Sequence, residues 1–179
     1  MLSHMDTARL PVADRPWIGE QYASGHRTLV LGESFYGSFP EAIATDDGYI
    51  RAWLAGELPP GIREILYPRL ANAVGPSRDA FWHGVAFTNF IIASVGPSRA
   101  SRPTEAMYQA ARVRLARVLA ELRPARVWVI GKEQSAHSGP VIDEASIAWT
   151  WVRFPLSAPA MTHKELGARW QALQALPMV

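Results

Sequence analysis

"LVLGESFYG", residues 29–37, joins an apolar run to a turn rich in functional groups. Three apolar residues run into Gly32, which is typical of a short buried strand that ends in a turn. The turn then carries an acid, a hydroxyl, two aromatic rings and a second glycine. Such a turn suits a nucleophilic serine, a phosphate-binding loop or a pocket for a nucleic-acid base, and the rest of the chain has to distinguish between them.

Apolar runs and helical patterns alternate along the rest of the sequence. The patterns predict strands at 29–31, 85–92, 127–130 and 147–154, and helices at 48–55, 62–74, 105–122 and 161–176. Apolar strands separated by helices indicate a sheet that is covered on both faces. We therefore expect an α/β fold, a three-layer α/β/α sandwich with a central, mostly parallel four-stranded sheet.

Polar segments follow each predicted strand. They are "GESFYG" (32–37), "TNF" (88–90), "GKEQS" (131–135) and "FPLSAP" (154–159). In open, mostly parallel sheets ligands bind outside the carboxyl ends of the strands. The sequence therefore predicts that these segments surround one site.

Composition restricts the chemistry. The chain has no Cys, which excludes disulfides, thiol nucleophiles, cysteine zinc sites and iron–sulfur clusters. Its five His are scattered without metal-ligand spacing, so neither a metal nor a cofactor is expected. Net charge is only +2, but residues 99–126 contain seven Arg and only two Glu. That excess suits contacts with phosphates, or simply a solvated helix face.

The predicted organisation is simple. Residues 1–12 are expected to be a disordered or tag-derived N-terminus, and residues 13–179 to form one domain. No apolar run approaches the roughly 18 residues that a membrane span needs. We expect a cytoplasmic monomer that does not contact membranes.

The serine hydrolase and phosphate-loop hypotheses fit the turn poorly. A nucleophile elbow has the pattern G-x-S-x-G, whereas Tyr36 stands two residues after Ser34, where a small side chain is needed. His137, Asp143 and His163 are available as partners, but no spacing selects one of them. Neither a Walker A loop nor a dinucleotide fingerprint is present. A hydrolase that uses Ser34 stays open as an alternative.

A base pocket fits the residue types better. A flipped base needs an aromatic platform and a side chain that recognises its Watson–Crick edge. Phe35, Tyr36 and Phe39 supply rings, and Asn89 carries both a donor and an acceptor, as a uracil-like edge requires. Glu33 is the only acid in the turn.

These motifs resemble those of the uracil-DNA glycosylase superfamily, especially a small branch whose first motif is GES-aromatic-Tyr-Gly. "GESFYG" matches the first motif, "FTNF" (87–90) matches the strand Asn that recognises the base, and "FPLSAPAMTHKE" (154–165) falls where the third motif lies. Residues 101–132 look like the long helix and third strand of these proteins. The resemblance spans about residues 27–170.

The chain also departs from the family pattern. Ser34 stands where some members carry a catalytic Asp or Asn, and Phe35 replaces the usual Pro. No His begins the third motif. The serine of this motif that contacts the minor groove would be Ser157, and His163 would partly replace the missing His.

The resemblance implies a monofunctional DNA glycosylase that hydrolyses the N-glycosidic bond of a flipped uracil-like, deaminated or modified base. Glu33 and Ser34 would then be catalytic, and Phe35, Tyr36, Phe39 and Asn89 would bind the base. The implied partner is DNA that contains a damaged or modified base, contacted by Arg99, Arg102, Lys132, Ser157 and His163. A catalytically silent relative that binds nucleic acid or a protein is the main alternative, since the third-motif His is missing.

Overall fold

The computed structural model describes residues 15–37, 40–62, 64–97, 100–157 and 159–177. The predicted N-terminal segment 1–12, Phe39 and Arg99 lie outside these ranges. The strands are β1 (Trp17–Ile18), β2 (Thr28–Ser34), β3 (Val85–Ile91), β4 (Arg126–Ile130) and β5 (Ala148–Val152). The helices are α1 (Asp46–Ala55), α2 (Leu66–Val74), α3 (Arg78–Gly84), α4 (Glu105–Leu122), α5 (Lys132–Glu144) and α6 (His163–Gln174), with a 3-10 turn at Glu41–Ile43.

The strands form one five-stranded sheet in the order β1-β3-β2-β4-β5. The four strands predicted from the sequence are all present and all parallel to one another. The predicted number of strands is wrong, because β1 adds a fifth, antiparallel strand beside β3. Two residues are too few to show the alternation by which a strand is recognised.

Two apolar clusters lie on opposite faces of the sheet. Alternate residues of β2 contribute to them: Val30 packs in one cluster, and Leu29 and Leu31 pack in the other. Helices α1, α2, α3 and α6 cover the first face, and α4 and α5 cover the second. The predicted three-layer α/β/α sandwich is thereby confirmed.

Helix α4 begins and ends as predicted, whereas the sequence patterns do not predict α3 and α5. The Oγ1 of Thr104 accepts the N–H of Met107 at 3.3 Å and so caps the start of α4. Helix α5 contains Gly139 and Pro140, two residues that argue against a helix interior. Gly139 has a packing reason, because a Cβ there would lie 2.7 Å from the ring of Trp149.

A buried charged network joins α1, β3 and α4. Arg114 belongs to the Arg-rich stretch 99–126, for which phosphate contacts or a solvated helix face are expected, but it is only 4% exposed. Its guanidinium donates to the Asn89 carbonyl at 2.9 Å and to Thr88 Oγ1 at 2.6 Å. Asp46, 2% exposed at the start of α1, accepts from Thr88 Oγ1 at 2.6 Å and from the Asn89 N–H at 2.9 Å.

This network takes the place of a neighbouring strand. Strand β1 pairs with Ala86 and Phe87 of β3 and begins at Trp17, opposite Phe87. Beyond it, Asp46 accepts the backbone N–H of Asn89 and Arg114 donates to its carbonyl. Within the described ranges, both backbone groups of Asn89 are therefore paired with side chains on that side and not with a strand.

Replacing Arg114 by Met should destabilise the fold strongly. The change removes the cation beside the buried Asp46 carboxylate. It also removes the two hydrogen bonds that Arg114 donates to β3. Breaking one partner of a buried pair costs about 3–5 kcal/mol, so the free energy of unfolding in urea should fall by about that amount.

Arg117→Met is the matched control, because Arg117 is exposed on the same helix. Its effect should stay within about 0.5 kcal/mol. Equal losses in the two variants would contradict a structural role for the buried network.

Candidate functional site

A cavity of about 870 Å³ lies at the carboxyl ends of the parallel strands. It brings together all of the described residues predicted for catalysis or base binding: Glu33, Ser34, Phe35, Tyr36 and Asn89. Arg102, Lys132 and Ser157 of the predicted DNA contacts also line it. Phe39 and Arg99 lie outside the described ranges, and His163 is exposed at the start of α6, away from the cavity lining.

The first-motif turn is held by the loop that follows β3. The N–H of Val95 donates to the Phe35 carbonyl at 3.2 Å, and the N–H of Gly37 donates to the Gly96 carbonyl at 2.7 Å. The Ser94 hydroxyl donates to the Gly37 carbonyl at 2.7 Å. Gly37 has a φ of 86°, a left-handed conformation that favours glycine. The turn is therefore fixed by its backbone, which leaves its side chains to line the cavity.

Glu33 and Tyr36 form a polar pair within this turn. The Tyr36 hydroxyl donates to Glu33 Oε2 at 3.3 Å. Burial raises the pKa of Tyr36 most, a hydrogen bond with Ser34 lowers it, and the Glu33 carboxylate raises it again, while the charge of Arg102 lowers it slightly. The phenol is thus protonated at neutral pH and orients the carboxylate.

The side chain of Asn89 is held on the floor of the cavity. It is 5% exposed, and its Nδ2 donates to Asp46 Oδ1 at 2.7 Å. Burial raises the pKa of Asp46, while hydrogen bonds from Thr88 and the charge of Arg114 act in the opposite direction. Gly32 makes room for the amide, because a Cβ at Gly32 would overlap the Asn89 Oδ1.

Aromatic rings form much of the cavity wall. The Phe35 and Tyr49 rings lie 5.8 Å apart at 50°. The Tyr49 hydroxyl donates to Glu64 Oε2 at 3.1 Å, and Glu64 Oε1 accepts the N–H groups of Leu66 and Tyr67. Glu64 therefore both caps α2 and places a wall residue. The sequence does not indicate this role, because the predicted helix over 62–74 contains Glu64, whereas α2 begins only at Leu66.

Arg153 is a cavity residue that sequence reasoning missed. It follows β5 directly and donates to the carbonyls of Ser157, at 3.1 Å, and Pro159. These bonds hold the third-motif segment in a turn around the guanidinium. The two carbonyls are uncharged, so the guanidinium of Arg153 keeps its positive charge. Arg153 lies on the cavity wall where the family resemblance leads us to expect a His. The sequence feature that indicates Arg153 as a cavity residue is its position immediately before Phe154, where the third motif begins.

His137 also lines the cavity, and its hydrogen bonding bears on the hydrolase hypothesis. Its ring stacks on Tyr108 at 3.7 Å and 6°. Its Nδ1 lies 3.2 Å from Arg112 Nη1, which can only donate, so Nδ1 accepts and Nε2 carries the proton of the neutral ring. A general base for Ser34 needs the opposite arrangement. This geometry does not support His137 as the partner of a nucleophilic serine.

Much of the Arg excess predicted to meet phosphates is already paired. Arg112 binds Glu105 at 2.7 Å, Arg102 lies 3.3 Å from Glu133, and Arg114 is buried. Of these three, only Arg102 reaches the cavity wall. The pairing of Arg112 and the burial of Arg114 thus reduce the part of the Arg excess on α4 that could meet phosphates.

Metal-binding and membrane-spanning features are both absent from the described ranges. No group of three or more His, Cys, Asp or Glu side chains there is arranged to hold a metal ion. No helix in the same part of the chain has the length and apolarity needed to cross a membrane.

Comparison of the chain with protein-family models and with curated proteins gives no match. Membership of the uracil-DNA glycosylase superfamily therefore stays a prediction from the three sequence motifs.

Gly32→Ala should disturb the floor of the cavity. The added methyl would overlap Asn89 Oδ1 and lie 2.9 Å from the ring of Phe87. Overpacking of this kind costs about 1–3 kcal/mol of unfolding free energy in urea. The side-chain amide signals of Asn89 should also shift in NMR spectra.

Gly84→Ala is the control, since a Cβ there would meet no atom within 4 Å. It should leave the stability and the Asn89 signals unchanged. An unaltered Asn89 amide in Gly32→Ala would contradict the close approach.

Proposed function

We propose that the protein is a monofunctional DNA glycosylase that hydrolyses the N-glycosidic bond of a flipped uracil-like, deaminated or modified base. One observation carries the proposal. The Glu33–Tyr36 pair, the buried Asn89 amide and the third-motif segment line a single cavity at the carboxyl ends of the strands. The cavity volume, about 870 Å³, also falls within the usual range for small-ligand sites.

The proposed base-recognition group is the Asn89 amide. Its Oδ1 would accept the N3–H of a uracil-like base, and its second Nδ2 proton would be donated to O4. The burial of Asn89 supports this role, because hydrogen bonds in a water-poor site discriminate strongly between bases. The ring of Phe35, which packs on Tyr49, would lie against one face of the base.

In the proposed reaction the bond between C1′ and the base nitrogen breaks, and both electrons leave with the base. The sugar acquires oxocarbenium character, which a nearby carboxylate stabilises. Glu33 would supply that charge and take a proton from the water whose oxygen bonds to C1′. The base anion finally takes up a proton, which leaves an abasic site and a free base. Ser34, beside Glu33, would position the water.

Arg153 would stabilise the departing base anion in place of the missing third-motif His. Its guanidinium is always protonated and is held by the Ser157 and Pro159 carbonyls at the cavity wall. A fixed positive charge near the developing anion lowers the barrier without reorganising during the reaction.

The proposed partner is DNA containing the altered base, bound by a single copy of the chain in the cytoplasm. Lys132 begins α5 and lies beside Gly131 on the cavity wall, so a positive side chain and a helix N-terminus meet there. Both favour phosphate. Ser157 and Arg102 extend the same rim.

Glu33→Gln should abolish most of the activity without unfolding the protein. The test is alkali cleavage of labelled oligonucleotides that contain uracil, hypoxanthine or 5-hydroxymethyluracil, under single-turnover conditions. Losing an acid–base group slows a reaction about 10²- to 10⁴-fold. Glu133→Gln, at an exposed acid on the same wall, is the control and should stay near the wild-type rate.

The proposal would be contradicted if stoichiometric wild-type enzyme produced no abasic product from any of these oligonucleotides. Salt-dependent DNA binding without base release would instead favour the silent nucleic-acid-binding alternative.

Arg153→Met should slow release of uracil by about 10²- to 10³-fold, the usual effect of losing one donor to a developing anion. The loss should be smaller for 5-fluorouracil, because that base leaves as a more stable anion. Arg169→Met, on the exposed side of α6, is the control. Equal losses for both bases would argue that Arg153 only holds the loop.

A further inference from the structure

The Asn89 amide lies beside a carboxylate that can only accept hydrogen bonds. An Asn side chain can turn by 180° and exchange its oxygen and nitrogen, so a lone Asn suits either of two complementary base edges. With Oδ1 turned toward Asp46, two oxygens would face each other at the distance where Nδ2 now donates, 2.7 Å. That arrangement is repulsive, so only one orientation fits.

Arg114 and Thr88 fix the remaining hydrogens of the network. Arg114 donates to Thr88 Oγ1 at 2.6 Å, so the hydroxyl gives its own single proton to Asp46. Asp46 Oδ2 also receives the backbone N–H of Asn89. Every one of these polar neighbours of Asp46 is therefore a donor, which suits a carboxylate and not a carboxylic acid.

The orientation of the amide determines what the cavity can accept. With one Nδ2 proton bound by Asp46 and Oδ1 over Gly32, the amide offers one N–H and one oxygen. Uracil and hypoxanthine present a carbonyl beside an N–H, which this pattern complements. Cytosine and adenine present an amino group beside an unprotonated nitrogen, and they would need the reversed amide.

We propose that Asp46 is a specificity-determining positioning residue, whose buried carboxylate holds the Asn89 amide in the one orientation that accepts keto bases and rejects amino bases. The inference rests on the proposed function only in taking Asn89 as the group that contacts the base. It assigns a role to a residue that does not itself line the cavity.

The test is equilibrium binding, which does not require catalysis. Fluorescence anisotropy would compare oligonucleotides that carry 2′-fluoroarabino-uridine with those that carry 2′-fluoroarabino-cytidine, whose glycosidic bonds resist hydrolysis. The wild-type protein should prefer the uridine form by about 10- to 100-fold, the usual discrimination of one paired contact. In Asp46→Asn the new amide keeps its oxygen where Thr88 and the Asn89 N–H donate, so its NH2 faces the Asn89 side chain. The Asn89 amide should then turn over, and the preference should fall to parity or reverse toward the cytidine form.

Thr88→Val is the matched control, because it weakens the same network but leaves the carboxylate beside Asn89. It should keep the wild-type preference. A preserved preference in Asp46→Asn, an equal loss in both variants, or no preference in the wild-type protein would each overturn the inference. Selective binding without release of uracil from a cleavable oligonucleotide would refute only the glycosylase proposal.

A second measurement keeps the inference testable if Asp46→Asn fails to fold. In the wild-type protein one Nδ2 proton of Asn89 should exchange with solvent much more slowly than those of exposed amides. Fast exchange of both protons would overturn the inference.

Discussion

The buried carboxylate of Asp46 is the constraint on which this structure depends. A charge taken out of water is costly unless it is paired and fully hydrogen-bonded. Here Thr88, both nitrogens of Asn89 and the charge of Arg114 meet that requirement. The same contacts place α1 and α4 against one point of β3. The interaction that holds two helices to the sheet therefore also sets the orientation of the amide on the cavity floor.

A second buried polar side chain, Gln134, holds together the strand ends beneath the cavity. Buried Gln134 donates to the carbonyls of Leu31, at 2.8 Å, and Ile130, at 3.1 Å, and so ties together the ends of β2 and β4. The cavity lining combines the polar groups of Glu33 and Asn89 with aromatic rings such as those of Phe35 and Tyr49. Such a site can bind a flat, apolar-faced ligand and still distinguish its polar edge.

The sequence predicts the parts of the structure that repeat a local pattern. Helix α4 has an N-cap and a regular apolar stripe, and the strands are apolar runs ended by glycine or by polar turns. The rule that ligands bind at the carboxyl ends of strands is enough to place Glu33 and Asn89 at one site. The parts that sequence patterns do not predict depend on contacts between distant residues. Arg114 is buried against the usual preference of Arg, because its partners come from β3 and α1. Asp46 has the appearance of an ordinary acid in the first turn of a helix.

The most direct test of the glycosylase proposal is a crystal structure of the protein bound to DNA that contains 2′-fluoroarabino-uridine. In this complex the base should leave the stack and enter the cavity, with its N3–H donated to Asn89 Oδ1 and its O4 bound by Nδ2. Glu33 should then face C1′. A complex in which the uracil stays stacked in the DNA, or in which DNA covers another face of the protein, would contradict the account.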